Sequence, residues 1–312
     1  MKSQSSFVGW LWFGAGGIVM LACLLLLVRL RGEDDPASQV AAKTRRVEVV
    51  QRMESDLASA SEAEKSAVLA TTDTESQAFA DQARGATARL EREDGELAQL
   101  LKAGGTDAER SLHAEFTASF VELRRIDEEV LRLAVQNTNV KAYALAFGPA
   151  AVAVQQMNEA LSRLAALPVS ARDHETAVLL AFGAETSALR IETLLPPHIA
   201  EESDGKMDAL EALIATEDGK IRESLDKLAA LPALRDAPDL AVATARYAEF
   251  TSLKAQILAL SRANTNVRSL SLSLNQKRKA MVVCQAELKS LEDAIQARRV
   301  AGSTYGPPPK PR

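Results

Sequence analysis

Apolar residues recur three and four positions apart along most of the chain, the spacing of one buried helix face. Val50, Met53, Leu57 and Ala60 carry it early. Late in the chain Phe250, Leu253, Ile257, Leu260, Asn264, Val267, Ser271 and Leu274 hold the heptad period. The pattern predicts four long helices. The first covers 36–103, opened by acids and Pro36 and ended by Gly104-Gly105. Thr106-Asp107-Ala108-Glu109 is a capping box that opens the second, which reaches residue 166 before Leu167-Pro168. Ser170 to Asp173 opens the third, over 170–230, and Asp236-Ala237-Pro238 opens the fourth, which ends near Arg299. Each helix would be about 90 Å long. Short connections make successive helices antiparallel, so the expected fold is an all-α, up-down-up-down four-helix bundle over 36–299. Its tip would lie at Gly104-Gly105 and Pro232, its base at Pro168 and the C-terminus.

The polar positions repeat as well. Asn137-Thr138-Asn139-Val140 returns as Asn264-Thr265-Asn266-Val267. Leu123, Ile126, Val130 and Leu133 precede the first copy at the spacing of Phe250, Leu253, Ile257 and Leu260 before the second. A basic residue follows each copy, Lys141 or Arg268, and Glu93-Asp94-Gly95 upstream matches Glu217-Asp218-Gly219. The bundle therefore reads as two duplicated helical hairpins, 36–166 and 170–299.

Ahead of them, Phe7 to Val28 carries no charge and is long enough to cross a bilayer as a helix. Trp10 and Trp12 at one end, and Arg29 and Arg31 at the other, suit membrane interfaces. The run is too long for a signal peptide, and no small-residue cleavage site follows it. It also continues past Cys23, against a lipoprotein site. The expectation is an uncleaved transmembrane helix at 7–28 behind a short flank at 1–6. Arg29 and Arg31 lean toward a cytoplasmic body under the positive-inside rule.

Composition narrows the chemistry. A net charge of −5 over 312 residues removes nucleic acid from the expected partners, since phosphate binding needs a basic face. With aromatics at 4 %, the helices should approach closely through Ala. Cys23 and Cys284 lie in unlike surroundings, so no disulfide is implied, and Cys284 reads as a small core residue. His113, His174 and His198 are scattered, without metal-ligand spacing. No nucleophile–base pair or phosphate loop stands out, and neither enzyme activity, cofactor nor metal is expected. The tail at 302–312, with Pro307-Pro308-Pro309, should be disordered, and its Lys310 and Arg312 could touch lipid headgroups.

In the heptad assignment Asn137 and Asn264 occupy core-facing positions, where an unpaired amide costs about 1–3 kcal/mol. Counting from the connections brings Thr71, Thr72, Asn137, Asn264 and a turn broken at Pro196-Pro197, with His198, to one level halfway up. Gly148-Pro149 is a second kink. Such a layer is either a device that fixes helix alignment or a small-molecule site between bundle helices, lined by Thr71, Thr72, Asn137, His198 and Asn264.

One membrane helix leading into long antiparallel helices resembles the four-helix-bundle sensory domain of bacterial methyl-accepting chemotaxis proteins. The likeness is carried by LRLAVQNTNVKAYALAFGP, from Leu131 to Pro149, and ILALSRANTNVRSLSLSLNQKR, from Ile257 to Arg278. The resemblance implies a single-pass inner-membrane protein whose periplasmic bundle senses a small molecule or a partner membrane protein, with homodimerisation as a further option. The sequence departs from that family in having no second span and no cytoplasmic signalling helix. A tethered structural scaffold is the alternative expectation.

Overall fold

The computed structural model describes residues 36–299; the expected anchor at 7–28, its flank and the tail at 302–312 lie outside the described residues. Every element among the described residues is helical. In chain order they are α1 (Pro36–Leu69), α2 (Asp73–Gly104), α3 (Asp107–Ala134) and α4 (Thr138–Leu145), then a π-turn (Ala146–Ala150) leading into α5 (Ala151–Ala165). They continue with α6 (Ala171–Ala200), α7 (Asp204–Ala230), α8 (Pro238–Ala263) and α9 (Thr265–Leu272), a second π-turn (Ser273–Lys277) and α10 (Arg278–Ala297). None of these helices is long and apolar enough to cross a membrane.

The expected first and third helices are each two. α1 ends at Leu69, and Thr72 opens α2 by accepting from the Glu75 N–H at 3.2 Å while its hydroxyl donates to the Glu75 carboxylate at 3.0 Å. That N-cap turns the chain back where a continuous helix was expected. The chain turns again at Glu201 to Ser203, between α6 and α7, where the Glu201 carboxylate accepts from the Glu202 and Ser203 N–H groups at 3.1 and 2.9 Å. Pro196 and Pro197 do not break α6, which runs on to Ala200. Each proline removes one backbone bond, and side chains of α4 and α8 hold the end of α6 through the Pro196, His198 and Ile199 carbonyls.

The chain divides into two compact units. Among the described residues, one comprises 36–60, Arg84–Leu123 and 279–299; the other comprises Ser61–Ala83 and Arg124–Arg278. In the first, Arg52 meets Glu93 at 3.1 Å and Arg89 meets Asp56 at 2.9 Å, so α1 and α2 are antiparallel. His113 to Asp94 (2.8 Å) and Ser119 to Glu287 (2.9 Å) extend the alternation to α3 and α10. Met53, Leu90, Leu97, Phe116 and Leu288 fill its core, with Cys284 buried among them. In the second unit, Ser162 to Glu185 (3.1 Å), Arg190 to Glu217 (3.4 Å) and Arg163 to Asp239 (2.8 Å) tie α5, α6, α7 and α8 into an up-down-up-down bundle. Its core holds Leu161, Ile191, Leu195, Leu225, Phe250 and Ile257. The expected alternation is present in each unit, but over helices about half the predicted length.

The hairpin also moves the expected tip. The Gly104 carbonyl accepts from Arg46 at 2.8 Å and from Arg298 at 2.5 Å, so this turn lies beside the start of α1 and the end of α10, not opposite them. Thr106 caps α3 as the sequence predicts, its N–H on the Glu109 carboxylate at 2.9 Å and its hydroxyl accepting the Glu109 N–H at 3.1 Å.

A side chain at Gly105 would place Cβ 2.7 Å from the Leu101 carbonyl oxygen, whereas at Gly104 the nearest atom is the flexible end of Arg46 at 3.6 Å. Gly105→Ala should therefore lower unfolding free energy by about 1–3 kcal/mol, and Gly104→Ala by much less. Urea melts of both variants check the order, and equal losses would refute this reading of the turn.

Candidate functional site

The duplicated Asn-Thr-Asn motif is where the two halves of the chain meet within the second unit. Asn137 and Asn264 adopt left-handed backbone conformations, with φ of 50° and 52°. Asn tolerates that region better than most residues. Neither Asn therefore sits inside a helix, as the heptad assignment expected; each stands at a break, between α3 and α4 or between α8 and α9. A break frees the N–H groups of the residues that follow. The Thr138 N–H is taken by the Thr265 hydroxyl at 3.3 Å, and the Thr265 N–H by the Thr138 hydroxyl at 3.0 Å. The Asn139 N–H donates to the Asn266 side-chain oxygen at 3.1 Å, and the Asn266 N–H to that of Asn139 at 3.2 Å. Each helix caps the other with the same residues.

The amide groups close the network. Asn139 Nδ2 donates to Asn264 Oδ1 at 2.8 Å and Asn266 Nδ2 to Asn137 Oδ1 at 3.0 Å. Asn137 Nδ2 reaches Asp73 at 3.1 Å, and Lys141 pairs with the same carboxylate at 3.0 Å. Lys141, then Asn137, hold the Asp73 carboxyl below its usual range. The end of α6 supplies acceptors: the Ile199 carbonyl takes Asn139 Nδ2 at 2.6 Å and the Glu201 carbonyl takes Asn264 Nδ2 at 2.8 Å.

His198 is fully buried beside this layer. Its Nδ1 lies 2.7 Å from Ser261 Oγ and its Nε2 2.9 Å from Glu211, whose carboxyl is held low by Arg262 and, secondarily, by His198. A hydroxyl, an imidazole and a carboxylate in that order match the parts of a hydrolytic triad. Here the Ser261 hydroxyl donates to the His198 carbonyl at 2.9 Å and both residues are sealed from solvent, so the chain works as a helix tie.

Of the predicted site residues, Asn137, Asn264 and His198 converge. Thr71 and Thr72 do not: both are exposed in the α1–α2 turn, and Asp73 holds the position expected of them. Sequence reasoning passed over Thr138, Asn139, Thr265 and Asn266, although the signal was present, since the repeat covers the whole tripeptide. It also missed a buried ionic cluster. Lys277 Nζ, in the second π-turn, lies 2.5 Å from Glu64, 3.3 Å from Asp127 and 3.2 Å from Ser61. Burial, outweighing the attraction of Lys277, pushes the Asp127 carboxyl up to about 6. Among the described residues no group of His, Cys, Asp and Glu could hold a metal ion.

Comparison with protein-family models and with curated proteins finds no match for the chain.

Asn137→Gly keeps the left-handed backbone and loses only the amide bonds, at about 1–3 kcal/mol; Asn137→Ala adds backbone strain of about 1 kcal/mol. Denaturant melts should rank Ala below Gly, and the reverse ranking would refute the role of the turn. The folded state also holds the Asp127 proton more tightly than the unfolded chain does. Stability from this group is therefore present below the ordinary carboxyl pKa and lost as pH rises through about 6. The loss is roughly 1.4 kcal/mol for each pH unit that separates the folded and unfolded midpoints. The stability of Asp127→Asn relative to the parent should rise between pH 4 and pH 7, and a flat difference would remove Asp127 from the account.

Proposed function

We propose that this protein is a non-enzymatic, membrane-anchored helical module that binds a partner membrane protein, with its helical body outside the cytoplasm. The observation that carries the reading is an apolar face left open on α6. Leu179 is 66 % and Phe182 67 % exposed, and Leu189 follows one heptad after Phe182. Large apolar side chains at that spacing suit a second helix laid alongside. The charge-free run at 7–28 and the resemblance to chemotaxis sensory bundles support a membrane setting, and the periplasmic placement rests on that resemblance alone. A ligand seated in the Asn layer has less support, because its amides are already spent on one another and on backbone carbonyls.

The saturated network favours a second reading, a tethered scaffold in which the Asn layer only fixes helix alignment. A photoreactive residue at Phe182 in intact cells separates them. A crosslinked membrane protein, absent with the probe at exposed Glu223 on α7, is the expected result. No adduct at either position would favour the scaffold. A tag after Arg312, digested once the outer envelope alone is opened, is expected for a body outside the cytoplasm; protection until the inner membrane is broken would reverse that placement.

A further inference from the structure

We propose that the open face of α6, read above as the partner face, pairs in parallel with α6 of a second copy of this chain, an inference that rests on that reading. Leu179, Phe182, Thr186, Leu189 and Thr193 alternate steps of three and four along α6, the seam of a two-stranded coil. None of them is buried. Glu185 and Arg190 border the seam, at the flanking positions through which parallel helices exchange ion pairs. Glu185 of each copy meets Arg190 of the other, twice across one two-fold. Exposed Arg172 and Glu175, of opposite charge, close the seam at the start of α6.

The neighbouring helices extend the match. Ser162 beside Glu185 aligns α5 with α6, so Glu159, three residues before Ser162, stands level with Ala188. Arg190 beside Glu217 aligns α7 with α6, so Lys220, three residues beyond Glu217, stands level with Ser187. The α5 flank of the seam carries Glu159, Glu185 and Glu192, while Arg163 there is held by Asp239 of α8. The α7 flank carries Arg190, Lys220 and Lys227 against Glu217 and Glu223, and so is positive by one charge. Asp218 and Arg222 turn toward α8, where Lys254 takes Asp218, and Asp226 faces away by its helical position.

Opposite flanks select the direction of pairing. A two-fold along the helices sets the α5 flank of each copy on the α7 flank of the other, acid on base. An antiparallel pair would set α5 flank on α5 flank, with like charges opposed. The groove between α5 and α6 adds a reason for a cation to arrive. It measures about 720 Å³ and is lined by Asn158, Glu159, Leu189 and Glu192 among others. Glu192 makes no hydrogen bond or ion pair among the described residues, and burial pushes its carboxyl up. Arg190 of the second copy, arriving at this level, supplies the charge that its own chain does not.

The test uses the full chain in intact cells treated with a membrane-permeant oxidant, in a Cys23→Ser background with the buried Cys284 kept. Leu189→Cys should give a disulfide-linked dimer, because parallel pairing brings the two residues 189 together. Antiparallel pairing would set residue 189 against Leu179 of the other copy, about 15 Å from its counterpart. Glu223→Cys, on α7, should give none. Arg190→Glu or Glu185→Arg, added singly, should lower the dimer yield about five-fold or more, and the two together should restore it. Should the double variant melt below the parent, exposed Glu159→Arg with Lys220→Glu repeats the exchange. No dimer from residue 189, a yield that ignores the single swaps, or a well-folded exchange that stays low overturns the pairing. A Phe182 photoadduct with a different protein, without the residue-189 dimer, overturns the second copy and keeps the partner face. No adduct of any kind removes the face itself.

Discussion

The reciprocal capping of two helix breaks is the interaction on which the second unit depends. A left-handed residue inside a buried helix exposes donors that water cannot reach, and each left unmet costs about 1–3 kcal/mol. A single break would need a dedicated partner. Two identical breaks, related by a local two-fold, supply each other: what Thr138 and Asn139 lack, Thr265 and Asn266 provide, and the converse. This is the contact logic of a symmetric dimer carried inside one chain. A shift of one residue in either helix would strand all four N–H groups at once, so the crossing fixes alignment more firmly than apolar packing could.

The symmetry is broken where charge requires it. Beyond the crossing the buried seam follows Thr138, Ala142, Ala146 and Ala150 in the first half, and Thr265, Ser269, Ser273 and Lys277 in the second. The positions are equivalent, and the two π-turns fall at matching places. Glu64 and Asp127 face Lys277, and the residue in the second half that corresponds to Asp127 is Lys254. A chain built from two first halves would bury two carboxylates with no cation. One built from two second halves would bring a second lysine near Lys254. Removing one partner of a buried ion pair is costly, so the halves are now complementary and no longer interchangeable.

Much of this was legible in the sequence. The caps at Thr106 and Ser170, the kink at Gly148-Pro149 and the burial of Asn137 and Asn264 follow from local chemistry and periodicity. The hairpin turns were not read, because the chain reverses at 70–72 and at 201–203 with neither glycine nor proline in the turn. Pro196-Pro197 drew the expected break three residues too early for a related reason: proline signals a lost bond, and a helix near its end can lose one cheaply. The left-handed turns are invisible to a heptad assignment, which counts positions and presumes the backbone. After Asn264 it named Val267, Ser271 and Leu274 as the seam, but the break and the π-turn rotate the buried face onto Ser269, Ser273 and Lys277. Lys277 looks like a surface residue until the acids opposite it are known.

The same accounting of hydrogen bonds bears on where recognition can occur. A molecule entering the Asn layer would have to replace contacts at 2.6 to 3.3 Å that already satisfy every motif amide, and would gain only what exceeds that loss. Contacts on the exposed apolar face of α6 displace only water. Binding energy is therefore more readily available there than in the interior. A core that is closed by its own symmetry serves best as the rigid support that holds such a surface in place.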